Sequence, residues 1–336
     1  MKARTTLVYI SIVITLLSTV LALSCAKPTN EALVVYVYDS FASEWGLGPV
    51  VLPAFEKETG IKVQLVSAGD AGQVLARAID EKAAPKADVL LGIDNLLLPK
   101  AVAADILEPY KPNRAGLVPA ELVPDALWRI TPFDWGSFAI IWDSEKLGEP
   151  PVSLEALTKP EYERKLILMD PRTSSPGYGF LAWTKAVYGE GLADYWQRLA
   201  PSILTMSPGW DTGYGLFTAG EAPLVISYTT SPAYHAEYET PGRYRALIFP
   251  EGHPVQIEGA GIIKGSKHVK QARAFIDFLL SDTFQQAVPL SNWMYPILPD
   301  TPLPPSFDYA PKPDKNLLID PSTLEGADRQ ALDALK

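Results

Sequence analysis

The sequence predicts an α/β protein built from two lobes, with a ligand site in the cleft between them. At 336 residues the chain is long enough for two domain-sized units. Short apolar segments alternate with amphipathic ones at the spacing of βαβ units, which favours a parallel sheet. Compact polar or aromatic sets follow several of the predicted strands, and open α/β sheets bind ligands at those carboxyl ends.

The N-terminus has the pattern of a secretory signal peptide over residues 1–24. Lys2 and Arg4 precede an almost unbroken apolar run at 7–23, and Cys25 follows it. The residues around Cys25 resemble the bacterial lipoprotein signal, which predicts that this cysteine becomes the lipid-modified first residue. An ordinary cleaved signal with an incidental cysteine is the alternative. We therefore expect an extracytoplasmic protein, in the periplasm or at the cell surface, that a lipid anchors to a membrane.

Composition excludes several classes of function. The formal net charge of −10 disfavours a nucleic-acid partner, which needs basic patches to neutralise phosphates. With one cysteine in the chain, at the end of the signal, no mature thiol nucleophile or thiolate metal site is expected. The three histidines have no ligand spacing, and the sequence has no nucleophile elbow, P-loop or dinucleotide fingerprint. We expect no catalytic site, no metal and no cofactor.

The first lobe is predicted over 32–131 and 256–295, after a polar tether at 25–31. Its strands are predicted at 33–38, 61–66, 87–92 and 258–263. Its helices are predicted at 48–58, 70–83, a short stretch reaching 104, 269–280 and 281–289. Asp70 has the position of a helix N-cap.

The second lobe is predicted over 132–255, and the segment at 128–142 is predicted to be the first crossing into it. Its strands are predicted at 165–169 and 223–227, and its helices at 177–187, 192–199 and 210–218. Seven prolines occur from Pro299 onward, so residues 296–336 are expected to form an extended Pro-rich strap. The last dozen residues suit one further helix.

Hydroxyl side chains and two tyrosines follow the strand at 223–227. Residues 228–234 read Tyr-Thr-Thr-Ser-Pro-Ala-Tyr, which places hydrogen-bond partners and aromatic faces at one strand end. A Ser/Thr-rich turn bonded to its own backbone is the alternative. Comparable polar or aromatic residues follow other strands or lie in turns, namely Tyr38, Asp70, Ser174, Ser175, Trp210 and Trp293. A core position is the alternative for each tryptophan.

Several motifs resemble the thiamine-binding periplasmic proteins of bacterial ABC importers. The two most specific are Ser-Tyr-Thr-Thr-Ser-Pro-Ala-Tyr-His at 227–235 and Asn-Trp-Met-Tyr-Pro at 292–296. The others lie at 36–46, 87–95, 132–136, 170–177 and 209–210, so the resemblance covers about residues 33–298. It implies a type II periplasmic-binding-protein fold whose lobes close on thiamine, thiamine monophosphate or thiamine diphosphate. It also implies delivery of the ligand to the permease of an ABC transporter.

The resemblance further implies a set of ligand contacts. Carried over by position, they are Asp70, Ala71, Ser174, Ser175, Trp210, Tyr228, Thr229, Thr230 and Ser231, with Tyr38, Tyr234 and Trp293 as aromatic neighbours. Ala71 stands where the family has glycine, and Ser175 where it has threonine. The thiazolium of thiamine is permanently positive, so aromatic faces attract it, while hydroxyl groups suit its alcohol or ester tail. We expect a monomer.

Two alternatives share this fold. A thiaminase-like, thiamine-degrading enzyme needs a cysteine in the cleft, whereas Cys25 belongs to the signal. A polyamine binder would use several acids, and a ferric iron binder would use a carboxylate–tyrosine–histidine set. The motifs here offer more hydroxyls and rings, so we predict a thiamine-binding protein that is not an enzyme.

Overall fold

The computed structural model of the protein describes residues 31–336, and strands and helices alternate along that part of the chain. The strands are β1 (Leu33–Val37), β2 (Val63–Ser67), β3 (Val89–Asp94), β4 (Leu107–Glu108), β5 (Thr131–Asp143), β6 (Leu166–Met169), β7 (Ile203–Ser207), β8 (Leu224–Tyr228), β9 (Tyr244–Leu247), β10 (His253–Ile263), β11 (Tyr295–Pro296) and β12 (Asn316–Leu317). The helices are α1 (Asp39–Ala42), α2 (Leu47–Thr59), α3 (Ala71–Asp80), α4 (Leu98–Ala103), α5 (Ser175–Tyr188), α6 (Leu192–Leu199), α7 (Trp210–Ala219), α8 (Ser231–Tyr238), α9 (Val269–Leu279), α10 (Asp282–Ser291) and α11 (Ala327–Asp333).

The principal strands lie in the order β2-β1-β3-β10-β5-β8-β6-β7. At one end β1 is parallel to β2 and β3, and at the other end β6 is parallel to β7 and β8. Between these two parallel groups, β10 is antiparallel to β3 and β5, and β5 is antiparallel to β8. The carboxyl ends of both parallel groups carry the helix starts that surround the site.

The two long strands β5 and β10 join the two halves of the sheet. Residues 131–137 of β5 pair with β10, and residues 138–142 pair with β8. Every residue of β10 is buried, as are most residues of β5, because both strands have helices or other strands against both faces. Near-continuous burial of this kind is typical of central rather than edge strands.

The predicted α/β class and most predicted elements are confirmed. The helix predicted after Asp70 begins at Ala71 with Asp70 as its N-cap, and the helix predicted at 210 begins at Trp210. The prediction for the hydroxyl-rich segment was incomplete, because helix α8 begins at Ser231 directly after the turn. The strand predicted at 258–263 is longer, since β10 begins at His253. Strands β7 and β9 were missed.

The Pro-rich C-terminal segment is only partly extended. Residues 305–309 form a 3₁₀ turn in which Phe307 contacts the ring of Tyr295, with centroids 5.6 Å apart. Strand β12 then pairs in parallel with the start of β10, and the helix expected near the C-terminus is α11. The segment therefore lies along β10 and ends against α5 and α6.

The predictions for residues 1–24, for lipidation of Cys25 and for most of the tether concern residues outside the described part of the chain. From residue 31 onward, no helix combines the length and apolar character that crossing a membrane requires.

Candidate functional site

A cavity of about 740 Å³ opens where the strand ends of the two halves of the sheet meet. Its lining comes from the segment after β1, the starts of α3, α5, α7 and α8, the middle of β10 and the turn after α10. The volume is typical of a small-molecule site. Helices begin at its rim on both sides, and the first backbone N–H groups of a helix have no partner within that helix.

Asp70 links the two sides of this cavity. Its Oδ1 accepts a hydrogen bond from the Ala71 amide (2.7 Å), and its Oδ2 accepts one from the Trp210 amide (3.0 Å). Burial raises the pKa of Asp70, and the hydrogen bonds from the amides of Ala71 and Trp210 oppose the rise. One carboxyl group therefore caps α3 and holds the start of α7.

Gly72 lets the backbone on the two sides approach closely. Its amide donates to the Thr173 carbonyl oxygen at 3.0 Å. A Cβ at position 72 would lie 2.8 Å from that oxygen and 2.9 Å from the carbonyl oxygen of Arg172. Any larger side chain would push the α3 side away from the segment before α5.

Aromatic rings line the walls of the cavity. Trp210 stacks on Tyr214 with centroids 4.8 Å apart, and its Nε1 donates to Ser227 Oγ at 2.8 Å. Trp293 lies nearly perpendicular to Tyr234, at 5.3 Å and 86°, and also contacts Tyr238. We call Trp210, Tyr234 and Trp293 the aromatic wall. Ring faces of this kind attract a flat or cationic ligand.

A hydrogen-bonded chain supports the aromatic wall from behind. Ser227 Oγ lies 2.8 Å from Ser231 Oγ, and Tyr214 Oη lies 2.8 Å from Nε2 of the buried His235. Nδ1 of His235 lies 2.8 Å from Glu239 Oε2. Burial lowers the pKa of His235, and Glu239 opposes this, so the ring is neutral near pH 7. The chain fixes Tyr214 and, through stacking, Trp210.

Three acids lie side by side across neighbouring strands at the floor of the cavity. Glu258 on β10 is the register partner of Asp94 on β3 and of Asp134 on β5. We call these three residues the acid row. Glu258 lines the cavity, and each of the three side chains is at most 5% exposed. Side chains directly opposite each other on antiparallel strands are close neighbours, so like charges there repel.

The members of the acid row differ in their partners. Asp94 accepts hydrogen bonds from Ser175 Oγ (2.7 Å) and from the amides of Leu96 and Leu97. Asp134 Oδ2 accepts one from Asn292 Nδ2 (2.6 Å). Within the described chain, Asp134 Oδ1 and Glu258 Oε1 are buried with no hydrogen-bond partner. Burial raises the pKa of Asp134 to about 8, and burial together with the charge of Asp134 raises the pKa of Glu258.

The structure brings most of the predicted site residues together around the cavity. Those that line it are Tyr38, Asp70, Ala71, Ser175, Trp210, Tyr228, Ser231, Tyr234 and Trp293. Ser174, Thr229 and Thr230 are buried beside it, as the residues that precede α5 and α8. The roles of all twelve as ligand contacts stay predictions.

Sequence reasoning missed several residues of the lining. Glu258 and Gln256 lie within a buried strand, and Tyr214 lies one turn into α7. Trp45 and Asn292 were quoted within motifs but received no role. The sequence signal that could have identified Glu258 and Gln256 is their position inside a largely apolar strand, because burying an acid or an amide is costly unless it has a partner.

Among residues 31–336, no group of three histidine, cysteine or acidic side chains has a geometry that would hold a metal ion. The three acids of the acid row lie side by side across neighbouring strands and do not surround a common centre as metal ligands do. The cavity-lining residues include Asp70, Asp211, Glu239 and Glu258, whereas none of the described lining residues is a lysine or arginine.

Comparison with known proteins identifies the family to which this chain belongs. A family model of bacterial extracellular solute-binding proteins matches residues 46–286. The chain belongs to this family. A thiamine-binding periplasmic protein of Brucella melitensis is 43% identical over 305 residues, 90% of each chain. A protein of the same name from Escherichia coli strain K12 is 41% identical over 316 residues, 93% of this chain and 94% of that one.

A solved structure agrees with the sequence comparison. A periplasmic thiamin binding protein matches this fold with a TM-score of 0.85 and 38% identity, covering 93% of this chain and 98% of that one. The resemblance drawn from the motifs and the two-lobed type II periplasmic-binding-protein fold are thereby confirmed. As a member of this solute-binding family, the protein is an extracytoplasmic transport component that works with an ABC transporter, and it is not an enzyme.

Proposed function

We propose that this protein captures thiamine outside the cytoplasm and delivers it to the permease of an ABC importer. The composition of the cavity carries the proposal, because aromatic rings and four acidic side chains line it and the described lining has no basic side chain. Such a site favours a flat cation. The thiazolium ring of thiamine is flat and permanently positive, and the relatives at 41–43% identity are named for binding thiamine.

The proposed arrangement puts the thiazolium against the aromatic wall. Tyr234 and Trp293 offer ring faces from α8 and from the turn after α10, and Trp210 offers a third from α7. A desolvated cation–π contact contributes about 2 kcal/mol. The hydroxyls of Ser175 and Ser231 at the cavity edge are then positioned for the hydroxyethyl tail. A ligand touching both sides favours the closed arrangement of the lobes.

The phosphate esters of thiamine require an anion site in a cavity whose described lining has no basic side chain. Helices α5 and α8 begin at Ser175 and Ser231, which both line the cavity. The free N–H groups of a first helical turn and the helix dipole favour a phosphate there. We propose that the monophosphate and the diphosphate bind with their phosphates at one of these two starts, where Ser174 and Thr230 precede the helices.

The remaining parts of the proposal concern the lobes and the membrane. We propose that residues 32–131 with 256–295 move as one lobe and 132–255 as the other, with 296–336 as a strap. A lipid on Cys25 would hold the monomer at a membrane beside its permease. Replacing Cys25 with alanine should then move the protein from the membrane fraction to the soluble fraction in a cell fractionation, and retention in the membrane would contradict the anchor.

Calorimetric titration of the mature protein tests the proposed ligand. Thiamine and its two phosphate esters should each bind, and thiamine should bind at least about 100-fold more tightly than spermidine, which has charge but no aromatic ring. Tighter binding of spermidine, or no heat with thiamine, would contradict the proposal. Loss of thiamine over time in the same samples would indicate an enzyme instead.

A further inference from the structure

In the ligand-free protein the charges of the acid row would be buried and would repel one another. Three carboxyl groups, those of Asp94, Glu258 and Asp134, lie on three adjacent strands, and antiparallel register places Glu258 directly between the other two. Burial penalises each charge, and adjacent like charges add to the penalty. A proton bound to the row removes one negative charge and so relieves both effects.

We propose that Glu258 selects a cationic ligand by exchange, in that the acid row holds a proton in the empty cleft and releases it to solvent when the ligand's positive charge arrives. The proposal rests on the proposed function and deepens it by naming the residue that determines charge specificity. Its structural basis is the cross-strand register together with Glu258 Oε1, a buried oxygen on a cavity-lining residue with no partner in the described chain.

The groups that face Glu258 from other elements are acidic, phenolic or neutral. They are Tyr38 after β1, Asp70 before α3, Asp94 on β3, Asp134 on β5 and Tyr228 at the end of β8, with the amide of Asn292 after α10 close to Tyr38 and Asp134. None of these supplies a positive charge. The proton is thus the counter-charge in the empty protein, and a cationic ring can take its place.

The charges balance in this exchange. The protonated carboxyl group of the row loses H⁺ to the buffer, the ligand adds one positive charge, and the net charge of the site is unchanged. Burial raises the pKa of Glu258 and of Asp134 in the empty protein, and a bound cation lowers the pKa of the row. Affinity should therefore rise with pH up to about 8, by at most about tenfold per pH unit for one proton.

Calorimetry in two buffers measures the released proton directly. Thiamine is titrated into the wild-type protein at about pH 7 in phosphate and in Tris, whose ionisation enthalpies differ, and the difference in heat gives the number of protons. About one proton per thiamine is expected. The variant Glu258→Gln should release almost none, whereas Glu237→Gln, an exposed charge change on α8, should match the wild type. The proposal is overturned if the wild-type protein releases no proton.

A neutral ligand separates charge recognition from packing. In 3-deazathiamine a carbon replaces the thiazolium nitrogen, so shape is kept and the charge is lost. Glu258→Gln removes the negative partner of the thiazolium charge, so it should weaken thiamine binding roughly 10- to 100-fold and leave the neutral analogue nearly unaffected. Equal weakening of both ligands would assign Glu258 a structural role and contradict the proposal.

A measurement without ligand distinguishes this proposal from the proposed function. In the empty protein the row holds a proton that the unfolded chain does not, so the urea midpoint should fall as pH rises from about 5 to about 8. Glu258→Gln, or Asp134→Asn if that variant does not fold, should reduce this fall, and Glu237→Gln should not. If thiamine does not bind but the midpoint falls, the proposed ligand is wrong and the proton in the row stands. A midpoint that is flat in the wild-type protein contradicts the proton itself.

Discussion

The aromatic wall and the acid row are positioned in different ways, although the three wall residues and Glu258 line the same cavity. The wall is built from helix starts and a turn, with Trp293 in the left-handed region at φ 57° and held between Tyr234 and Tyr238. The acid row is positioned by the register of β3, β10 and β5. The wall therefore depends on local turns and side-chain contacts, whereas the acid row depends on strand register, where a one-residue slip would reverse every side chain of a central strand.

Removal of a ring should affect binding far more than folding. Trp293→Ala removes a partly buried wall residue, so thiamine affinity should fall about 30-fold, equivalent to one desolvated cation–π contact, while the melting temperature changes little. Tyr309→Ala, an exposed aromatic outside the cavity, is the control. Calorimetry and thermal melting give both values. Unfolding of the variant, with normal binding by the folded remainder, would make Trp293 a core residue.

Asp70 belongs to neither the aromatic wall nor the acid row, and its replacement should affect both stability and binding. Asp70→Ala removes the N-cap of α3 and the acceptor for the Trp210 amide. Loss of the cap should lower the free energy of unfolding by about 1 kcal/mol, and loss of the link to α7 should weaken thiamine binding roughly tenfold. Asp70→Asn retains an acceptor oxygen and should show smaller losses. Unchanged affinity in the alanine variant would exclude the cross-cleft role.

Gly72 tests whether close approach of the two sides matters. Gly72→Ala adds a Cβ against the backbone of residues 172–173, so closure should be hindered and affinity should fall roughly fivefold. Stability should not fall in parallel, because alanine favours the first turn of α3 more than glycine does. Gly148→Ala, where the added Cβ meets nothing within 4 Å, should bind as the wild type does. Equal affinities of all three proteins would show that closure tolerates the methyl group.

The smallest effect on thiamine affinity is expected at Thr229, which the motif suggested as a ligand contact but which lies outside the cavity lining. Thr229 is 1% exposed and does not line the cavity, and its Oγ1 has no partner in the described chain. Thr229→Val keeps the shape and removes that hydroxyl, so thiamine affinity should change by less than about twofold. A larger loss, measured against Ser231→Ala as a variant of a lining hydroxyl, would restore Thr229 as a direct contact.

The contrast between wall and floor also explains which parts of the site could be predicted from sequence. Trp210 follows the turn signal Pro208-Gly209, Trp293 lies in a short stretch between a predicted helix and the Pro-rich segment, and Asp70 has the pattern of a cap, so all three can be picked out from local sequence. For Glu258 the local sequence shows only an acid within a largely apolar strand and does not identify its partners. Its partners lie 164 and 124 residues earlier in the chain, and only strand pairing brings them to it. Long-range register is a property of the fold, so propensity and periodicity cannot supply it.

The same reasoning applies to the fold. The α3 cap and the apolar runs of β3 and β8 are local and were predicted, whereas β7 has a half-buried and mixed pattern that offers no clear period. Helix α8 was missed because Ser-Pro at its start equally suits a turn. Pro232 is compatible with a first helical turn, where its missing N–H costs nothing.

A crystal structure of the mature protein grown with thiamine tests the central claim most directly, namely that this cleft holds a cationic heterocycle between its aromatic wall and its acid row. The account predicts the thiazolium within about 6 Å of the ring centroids of Tyr234 or Trp293 and the positive part of the ligand on the Glu258 side of the cavity. An empty cleft, or a ligand bound with its charge away from both the wall and the row, would contradict it.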